Sequence, residues 1–191
     1  MEIIIVRHGE SESNALSDKD EIFTGRWDCG LTKRGYEQAR ALRGNPIFND
    51  VDAFFVSNLK RAMETAKTIT DRELIVDPRL QERSMGDFEG KKITDVKSDP
   101  RYKKYFEETG LMSFRHSFTV KGPNAESYTD VCKRVRSFID ELSKSNYHKI
   151  VIVAHFVLFR CFLKEIKGLS EEETLSLSIP NCTPIIIEWN K

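Results

Sequence analysis

The sequence has little that favours a secreted or a nucleic-acid-binding protein. Its four cysteines stand singly, and no CxxC pair occurs among them. Neither a disulfide framework nor a zinc knuckle is therefore expected, and such cysteines are typical of a reduced, cytoplasmic protein. Lys plus Arg and Asp plus Glu both number 30. A chain without excess positive charge lacks the basic face that general nucleic-acid binding requires, so no nucleic-acid partner is expected.

Long hydrophobic runs are also missing. No apolar stretch approaches the roughly 20 residues that a membrane-spanning helix needs. Residues 1–6 are too short and too acidic to supply the basic flank and apolar stretch of a signal peptide. We therefore expect a cytoplasmic location and no membrane contact. A length of 191 residues is enough for one domain with a modest insertion.

Short runs of β-branched and aromatic residues predict a buried sheet. The strand candidates are residues 3–6, 51–56, 150–154 and 184–189, with a weaker one at 74–76. The first three lack polar–apolar alternation, which is typical of strands covered on both faces. Helical patterns lie between them, at about 32–43, 59–71, 127–143 and 157–166. This alternation predicts an α/β fold: a three-layer α/β/α sandwich with a mostly parallel central sheet and helices on both faces.

Residues from about Met85 to Asn124 do not follow this alternation. They mix charges with aromatic residues, among them Tyr102, Tyr105, Phe106, Phe114 and Phe118. We expect this segment to be a short insertion that caps a site, within a single domain over residues 1–191.

Histidines and arginines follow three of the predicted strands. Arg7 and His8 come directly after the first strand, Arg61 soon after the second, and His155 after the strand at 150–154. Ligands of open α/β sheets bind beyond the carboxyl ends of the strands, so we expect these side chains to meet at one edge. Guanidinium groups bind phosphoryl oxygens bidentately, and an imidazole can attack phosphorus. The pattern therefore predicts a site for a phosphoryl group.

Several segments closely resemble motifs of the histidine phosphatase (phosphoglycerate-mutase-like) superfamily, in the order the family has them. Residues 7–14 resemble its RHGxxxxN signature. The other matching segments are the loop and helix at 24–39, the second arginine motif at 57–66, the acid-bearing loop at 80–90, the segment at 123–127, the second histidine motif at 153–160 and residues 179–182. The resemblance covers most of the chain outside about residues 91–120.

The resemblance implies a catalytic role for five residues. His8 would attack in line and carry the phosphoryl group. Arg7, Arg61 and His155 would surround the phosphate and stabilise the transferring charge. Glu82 would protonate the leaving oxygen and then help to activate water. No metal and no cofactor are expected, because the arginines would do the work of a divalent ion.

Four further residues are expected at the phosphate. The resemblance assigns hydrogen bonds to Asn14 and to the backbone near Thr24 and Gly25. Phe156 stands where the family usually has glycine, which lets the backbone approach a phosphate closely. A phenylalanine still offers its N–H but adds a ring to the pocket. His116 is expected at the surface, and the alternative is that Arg115, His116 or Lys121 recognises the substrate.

The favoured function is metal-independent hydrolysis of a small phosphorylated metabolite. Two alternatives stay open: a cofactor-dependent phosphoglycerate mutase, and a weakly active regulator that binds phosphorylated ligands. The regulator is supported by Phe156 alone. The substrate and the oligomeric state are not predicted.

Overall fold

Five short strands form one mixed sheet in the computed structural model, which describes residues 1–107 and 110–190. In chain order the strands are β1 (Glu2–Arg7), β2 (Ala53–Val56), β3 (Leu74–Val76), β4 (Lys149–Ala154) and β5 (Ile185–Glu188). Their order across the sheet is β3-β2-β4-β1-β5. The pairs among β1 to β4 are parallel, whereas β5 runs antiparallel to β1 at the sheet's edge. The predicted mostly parallel sheet is confirmed.

Helices connect the strands. Within the described residues they are α1 (Lys33–Arg40), α2 (Lys60–Ile69), α3 (Ile93–Ser98), α4 (Lys104–Glu107), α5 (Gly110–Arg115), α6 (Tyr128–Ser143), α7 (Phe156–Lys167) and α8 (Glu171–Ser176). The four predicted helices correspond to α1, α2, α6 and α7. Thr32 caps α1 through the N–H of Gly35, and a Ser127–Asp130 capping box starts α6. No helix in the described part of the chain is long and apolar enough to cross a membrane.

The helix α8 was not predicted from the sequence. Its six residues, Glu-Glu-Glu-Thr-Leu-Ser, are too few and too polar to show a helical stripe. A capping box between Ser170 and Glu173 starts it instead. Three acidic residues in its first turn also suit the positive end of a helix dipole.

Both faces of the sheet are covered, which explains the lack of alternation in the strands. Ile152 of β4 packs with α6 and α7, whereas its neighbour Val153 packs with α1 and α2. Strand residues alternate between these two hydrophobic clusters because successive side chains point to opposite faces. The predicted three-layer arrangement is therefore confirmed.

The segment predicted as an insertion forms a small hydrophobic cluster of its own. The cluster consists of Phe23, Met85, Phe88, Ile93, Val96 and Phe114. Short helices α3, α4 and α5 surround it, and Phe118 packs instead with the α6–α7 side of the sheet. The aromatic residues thus stabilise a locally packed unit, because short helices bury too little apolar surface alone. That residues 85–124 cap a site within one domain stays a prediction.

The sheet brings three strand ends together. Arg7 of β1 lies opposite Ala154 of β4, and Val56 of β2 lies opposite Val153. The chain therefore leaves the three parallel strands side by side, at the edge where α/β proteins bind ligands. The next residues along the chain are His8, Ser57 and His155.

The burial difference between two isoleucines gives a test of this architecture. Ile152→Ala should lower the free energy of unfolding by about 2–5 kcal/mol, because Ile152 is fully buried between packed layers. Ile186→Ala, on the edge strand where the side chain is 51% exposed, should cost about 1 kcal/mol or less. Urea unfolding of both variants measures the difference. Equal losses would contradict the assignment of β4 to the centre of the sheet.

Candidate active site

His8 follows β1 and is held in one tautomer. Its Nδ1 lies 2.7 Å from the carbonyl oxygen of Gly9, which only accepts hydrogen bonds, so Nδ1 carries the proton. The other nitrogen, Nε2, is therefore unprotonated, and its lone pair accepts a hydrogen bond from Nε of Arg61. The ring is buried, and burial together with the charges of Arg61 and Arg7 holds the pKa of His8 well below its usual range. His8 is thus a neutral imidazole with an available nucleophilic nitrogen.

Arg61, in the first turn of α2, lies against that nitrogen. Its Nε is 3.3 Å from Nε2 of His8, and its terminal nitrogens donate to the carbonyls of Trp27 and Gly25 at 3.0 and 2.8 Å. The guanidinium is fully buried. These three contacts fix its orientation, because a planar fork binds carbonyls only along set directions.

Arg7 is the second cation at the site and is partly buried. One of its terminal nitrogens donates to the carbonyl of Ile179 at 2.9 Å, whereas its buried Nε has no hydrogen-bond partner. Burial lowers the pKa of Arg7, and the charges of Arg61 and Arg160 lower it further, against the opposite effect of Glu82. Buried polar groups are rarely left unpaired, so an unpaired guanidinium N–H beside a pocket is a ready donor for an anion.

His155 packs against the His8 ring, with the ring centroids 5.2 Å apart. Its Nε2 lies 2.8 Å from the Ser57 hydroxyl, and that hydroxyl already accepts from the N–H of Leu59. The contact with Ser57 fixes the orientation of the ring. The other ring nitrogen, Nδ1, is buried without a partner. Burial, followed by the charge of Arg61, holds the pKa of His155 well below its usual range.

Glu82 places its carboxylate at the N-terminus of α7. One oxygen lies 3.3 Å from the N–H of Val157, and the other lies 3.3 Å from that of Leu158 and 2.8 Å from that of Arg83. These N–H groups of the first turn have no partner within the helix, and the positive end of the helix favours an anion. The first turn of α7 thus orients the carboxylate, immediately after His155.

A pocket of about 160 Å³ opens at this edge of the sheet. Eight of the nine residues predicted for the site line it: Arg7, His8, Asn14, Thr24, Gly25, Arg61, Glu82 and Phe156. The ninth, His155, does not line the pocket but packs against His8, which does. The exposed Asn14 accepts two hydrogen bonds from Ser11, from its N–H and from its hydroxyl.

Gly25 is required by its conformation. Its φ is +46°, in the left-handed region that favours glycine. A Cβ there would lie 2.7 Å from a carboxylate oxygen of Glu89 and 2.8 Å from the backbone nitrogen of Met85. The absence of a side chain lets the carbonyl of Gly25 approach Arg61.

Three residues support the two histidines of the site and were not assigned a role from the sequence. Thr65 accepts from the N–H of Gly9 at 3.0 Å, and Asn181 donates to the carbonyl of His8 at 2.6 Å. Ser57 holds His155. All three lie in segments that resemble family motifs, and this resemblance is the sequence signal by which they could have been found. Their roles depend on partners 56, 173 and 98 residues away.

His116, expected at the surface, lines the pocket together with Arg115, which favours the alternative that these residues face the substrate. His116 is half-buried, and its Nδ1 lies 3.1 Å from the Tyr128 hydroxyl. Burial, with the charges of Arg160 and Arg115, lowers the pKa of His116 to about 4. Arg83 also lines the pocket, and its guanidinium donates to three backbone carbonyls, those of Phe114, Arg115 and Glu126. The insertion therefore contributes one wall of the pocket.

Phe156 begins α7 and lines the pocket without displacing the groups around His8. Its ring lies between two guanidinium groups, 5.1 Å from Arg7 and 4.2 Å from Arg160. The contacts of His155 with Ser57 and with His8 are present beside it. Among the residues described, no group of three or more His, Cys, Asp or Glu side chains is placed to hold a metal ion.

Comparison with known proteins identifies the same family over nearly the whole chain. Residues 3–191 match the model of the histidine phosphatase superfamily (branch 1). A protein of Hydrogenobacter thermophilus named "Putative phosphoserine phosphatase 2" is 33% identical over 99% of this chain and 91% of its own length. A 2,3-bisphosphoglycerate-dependent phosphoglycerate mutase from Parvibaculum lavamentivorans is 32% identical over 97% of this chain and 89% of its own.

A solved structure shows the same fold. The alpha-ribazole phosphatase from Shigella flexneri superimposes with a TM-score of 0.84, at 26% identity, and the match covers all of this chain and 92% of that one. The relatives include both phosphatases and mutases, so the chain is an enzyme of the phosphohydrolase or mutase type.

The buried histidines predict how stability depends on pH. His8 and His155 have pKa values well below 6.5 in the folded protein, so between pH 6.5 and those values the unfolded chain binds more protons. The contribution of these neutral histidines to the free energy of unfolding is therefore complete above about pH 6.5. It decreases as the pH drops, by up to about 1.4 kcal/mol per pH unit for each histidine. Urea unfolding between about pH 7.5 and about pH 5, above the ordinary range of carboxyl groups, measures this slope. His8→Gln should reduce the slope by about one proton, and an unchanged slope would contradict a neutral His8.

Proposed function

This chain belongs to the histidine phosphatase superfamily, and we propose that it hydrolyses small phosphate monoesters without a metal ion, through a phosphohistidine at His8. The observation that carries the proposal is the state of His8. Its Nε2 is unprotonated, the ring is held neutral, and that nitrogen accepts a hydrogen bond from the buried guanidinium of Arg61 at 3.3 Å, a contact that an entering phosphoryl group replaces. A neutral imidazole beside a fixed cation suits attack on an anionic phosphorus centre.

The phosphoryl group is bound by the site's guanidinium donors. The buried Nε of Arg7 has no partner within the described protein and gains one when phosphate oxygens enter the pocket. His155 packs against the His8 ring beside this pocket. Arg61 adds a second guanidinium, already oriented by Gly25 and Trp27. Two cations close to the phosphorus stabilise the charge that spreads over its oxygens during transfer.

The reaction proceeds in two steps. In the first, Nε2 of His8 forms a bond to phosphorus as the ester P–O bond breaks, and the leaving oxygen takes a proton from Glu82. In the second, the Glu82 carboxylate takes a proton from water as its oxygen attacks phosphorus. The N–P bond then breaks, inorganic phosphate leaves, and His8 and protonated Glu82 are restored. One carboxyl group serves as acid and then as base because the second step reverses the proton flow of the first.

The second candidate function is a phosphoglycerate mutase, favoured by the similarity to the Parvibaculum lavamentivorans enzyme. A mutase returns the phosphoryl group from the histidine to another hydroxyl instead of to water. We rank hydrolysis first because the insertion is short, whereas mutases of this superfamily tend to carry a larger one. A pocket of about 160 Å³ is suited to a small ester. We also propose a cytoplasmic location, supported by four free cysteines that are all buried.

The phosphatase proposal predicts turnover of p-nitrophenyl phosphate in the presence of a chelator. His8→Ala should lower the rate by at least about a thousandfold, because the nucleophile is lost. His148→Ala, at an exposed histidine, is the matched control and should keep full activity. Mass spectrometry after rapid alkaline quenching should show phosphate on His8 in the wild type, since a P–N bond hydrolyses in acid.

Two other outcomes would overturn this ranking. Phosphoglycerate interconversion that depends on a bisphosphate primer, with little free phosphate released, identifies a mutase. Protection of the wild type against thermal unfolding by phosphorylated ligands, without turnover of any of them, identifies the regulator.

The role of Glu82 predicts a dependence on the leaving group. Glu82→Gln should slow the hydrolysis of alkyl phosphates by about a hundredfold or more, because an alkoxide leaves only with a proton. The same variant should slow p-nitrophenyl phosphate by less than about tenfold, since that phenolate leaves unprotonated. Glu37→Gln, at an exposed position on α1, is the control for the loss of one charge. Equal losses on both substrates would rule out Glu82 as the proton donor.

A further inference from the structure

The Phe156 ring lies close to two positive charges. Its ring centroid lies 5.1 Å from the guanidinium carbon of Arg7 and 4.2 Å from that of Arg160. The ring also lines the pocket that we assign to the phosphate ester. The face of an aromatic ring attracts a cation within about 6 Å, and guanidinium groups stack on it. The ring therefore holds Arg7 from the side of α7.

Arg7 has few other contacts to hold it. Within the described protein it donates one hydrogen bond, to the carbonyl of Ile179, and its buried Nε has no partner. Among its charged neighbours, Glu82 attracts the guanidinium, whereas Arg61 and Arg160 repel it. The Phe156 ring adds a contact that tolerates positive charge and does not use up the hydrogen-bond donors of Arg7.

Arg160 provides a fixed support behind the ring. It donates twice to the carbonyl of Leu177, at 3.0 and 2.7 Å, and once to the Tyr128 hydroxyl at 3.3 Å. The same hydroxyl lies 3.1 Å from His116, on the insertion side of the pocket. A continuous set of contacts therefore runs from Arg7 through Phe156, Arg160 and Tyr128 to His116.

We propose that Phe156 is a positioning residue, which holds the Arg7 guanidinium in the orientation that binds the phosphoryl group. The proposal rests on the proposed function, because it requires the pocket to bind phosphate. Phe156 touches none of the bonds that form or break, and it acts through Arg7. Loss of the ring leaves Arg7 free to turn, so phosphate binds more weakly while the fold is kept.

The test compares two phenylalanines of the same helix. Phe156→Leu removes the aromatic face but keeps an apolar side chain, and it should weaken the binding of inorganic phosphate by about threefold to tenfold, with little change in melting temperature. Phe159→Leu is the matched control. Phe159 is fully buried in the hydrophobic core, so its replacement should lower the melting temperature but leave phosphate affinity unchanged. Titration calorimetry measures affinity without turnover.

Two further variants separate positioning from packing. Phe156→Tyr keeps an aromatic face and should bind phosphate within about twofold of the wild type. In a double-mutant cycle, the loss of phosphate affinity in the double variant Phe156→Leu, Arg7→Lys should be smaller than the product of the two single losses, because both changes disturb the same contact. Losses that multiply fully would mean that Phe156 does not act through Arg7.

The outcomes distinguish this inference from the proposed function. If the wild type binds phosphate and Phe156→Leu binds it equally well, the positioning role is wrong and the phosphatase proposal stands. If Phe156→Leu instead loses stability to the same extent as Phe159→Leu, with unchanged phosphate affinity, Phe156 is only a packing residue. If the wild type itself binds no phosphate, both proposals are overturned.

Discussion

A single buried guanidinium joins three distant segments of the chain at the site. Arg61 lies on α2, and it reaches His8 after β1 and the carbonyls of Gly25 and Trp27 in the loop before α1. Each partner is 34 to 53 residues away along the chain. A buried guanidinium needs such acceptors, because an unpaired charge in a low-dielectric interior is strongly destabilising. The conformation of the loop before α1, the positive φ of Gly25 and the position of His8 Nε2 beside the pocket all depend on these contacts.

The site concentrates positive charge while it keeps its histidines neutral. Arg7 and Arg61 lie close to His8 and His155, and burial together with these cations disfavours protonation of either ring. A neutral ring keeps the lone pair that a nucleophile requires. The unpaired Nε–H of Arg7 adds to the attraction for an anion. The same arrangement thus disfavours a bound proton and favours a bound phosphoryl group.

The insertion is connected to this site by hydrogen bonds from Arg83. Its guanidinium donates to the carbonyls of Phe114, Arg115 and Glu126, which joins the small aromatic cluster to the start of α6. Arg115 and His116 are brought to the pocket wall in this way. The charged groups that face a bound substrate therefore come both from strand ends and from the insertion.

The sequence by itself determined the sheet, the four longer helices and the family, because strands, caps and motifs are written in neighbouring residues. It also indicated Arg7, His8, Arg61 and His155, since residues after parallel strands meet at one edge. Only the tertiary structure decided the positions of His116 and Arg115, the support of His8 by Thr65 and Asn181, and the place of Phe156 between two arginines. The physical reason is that each of these depends on packing between segments far apart in the chain. A local sequence pattern does not indicate which distant side chain will pack against it.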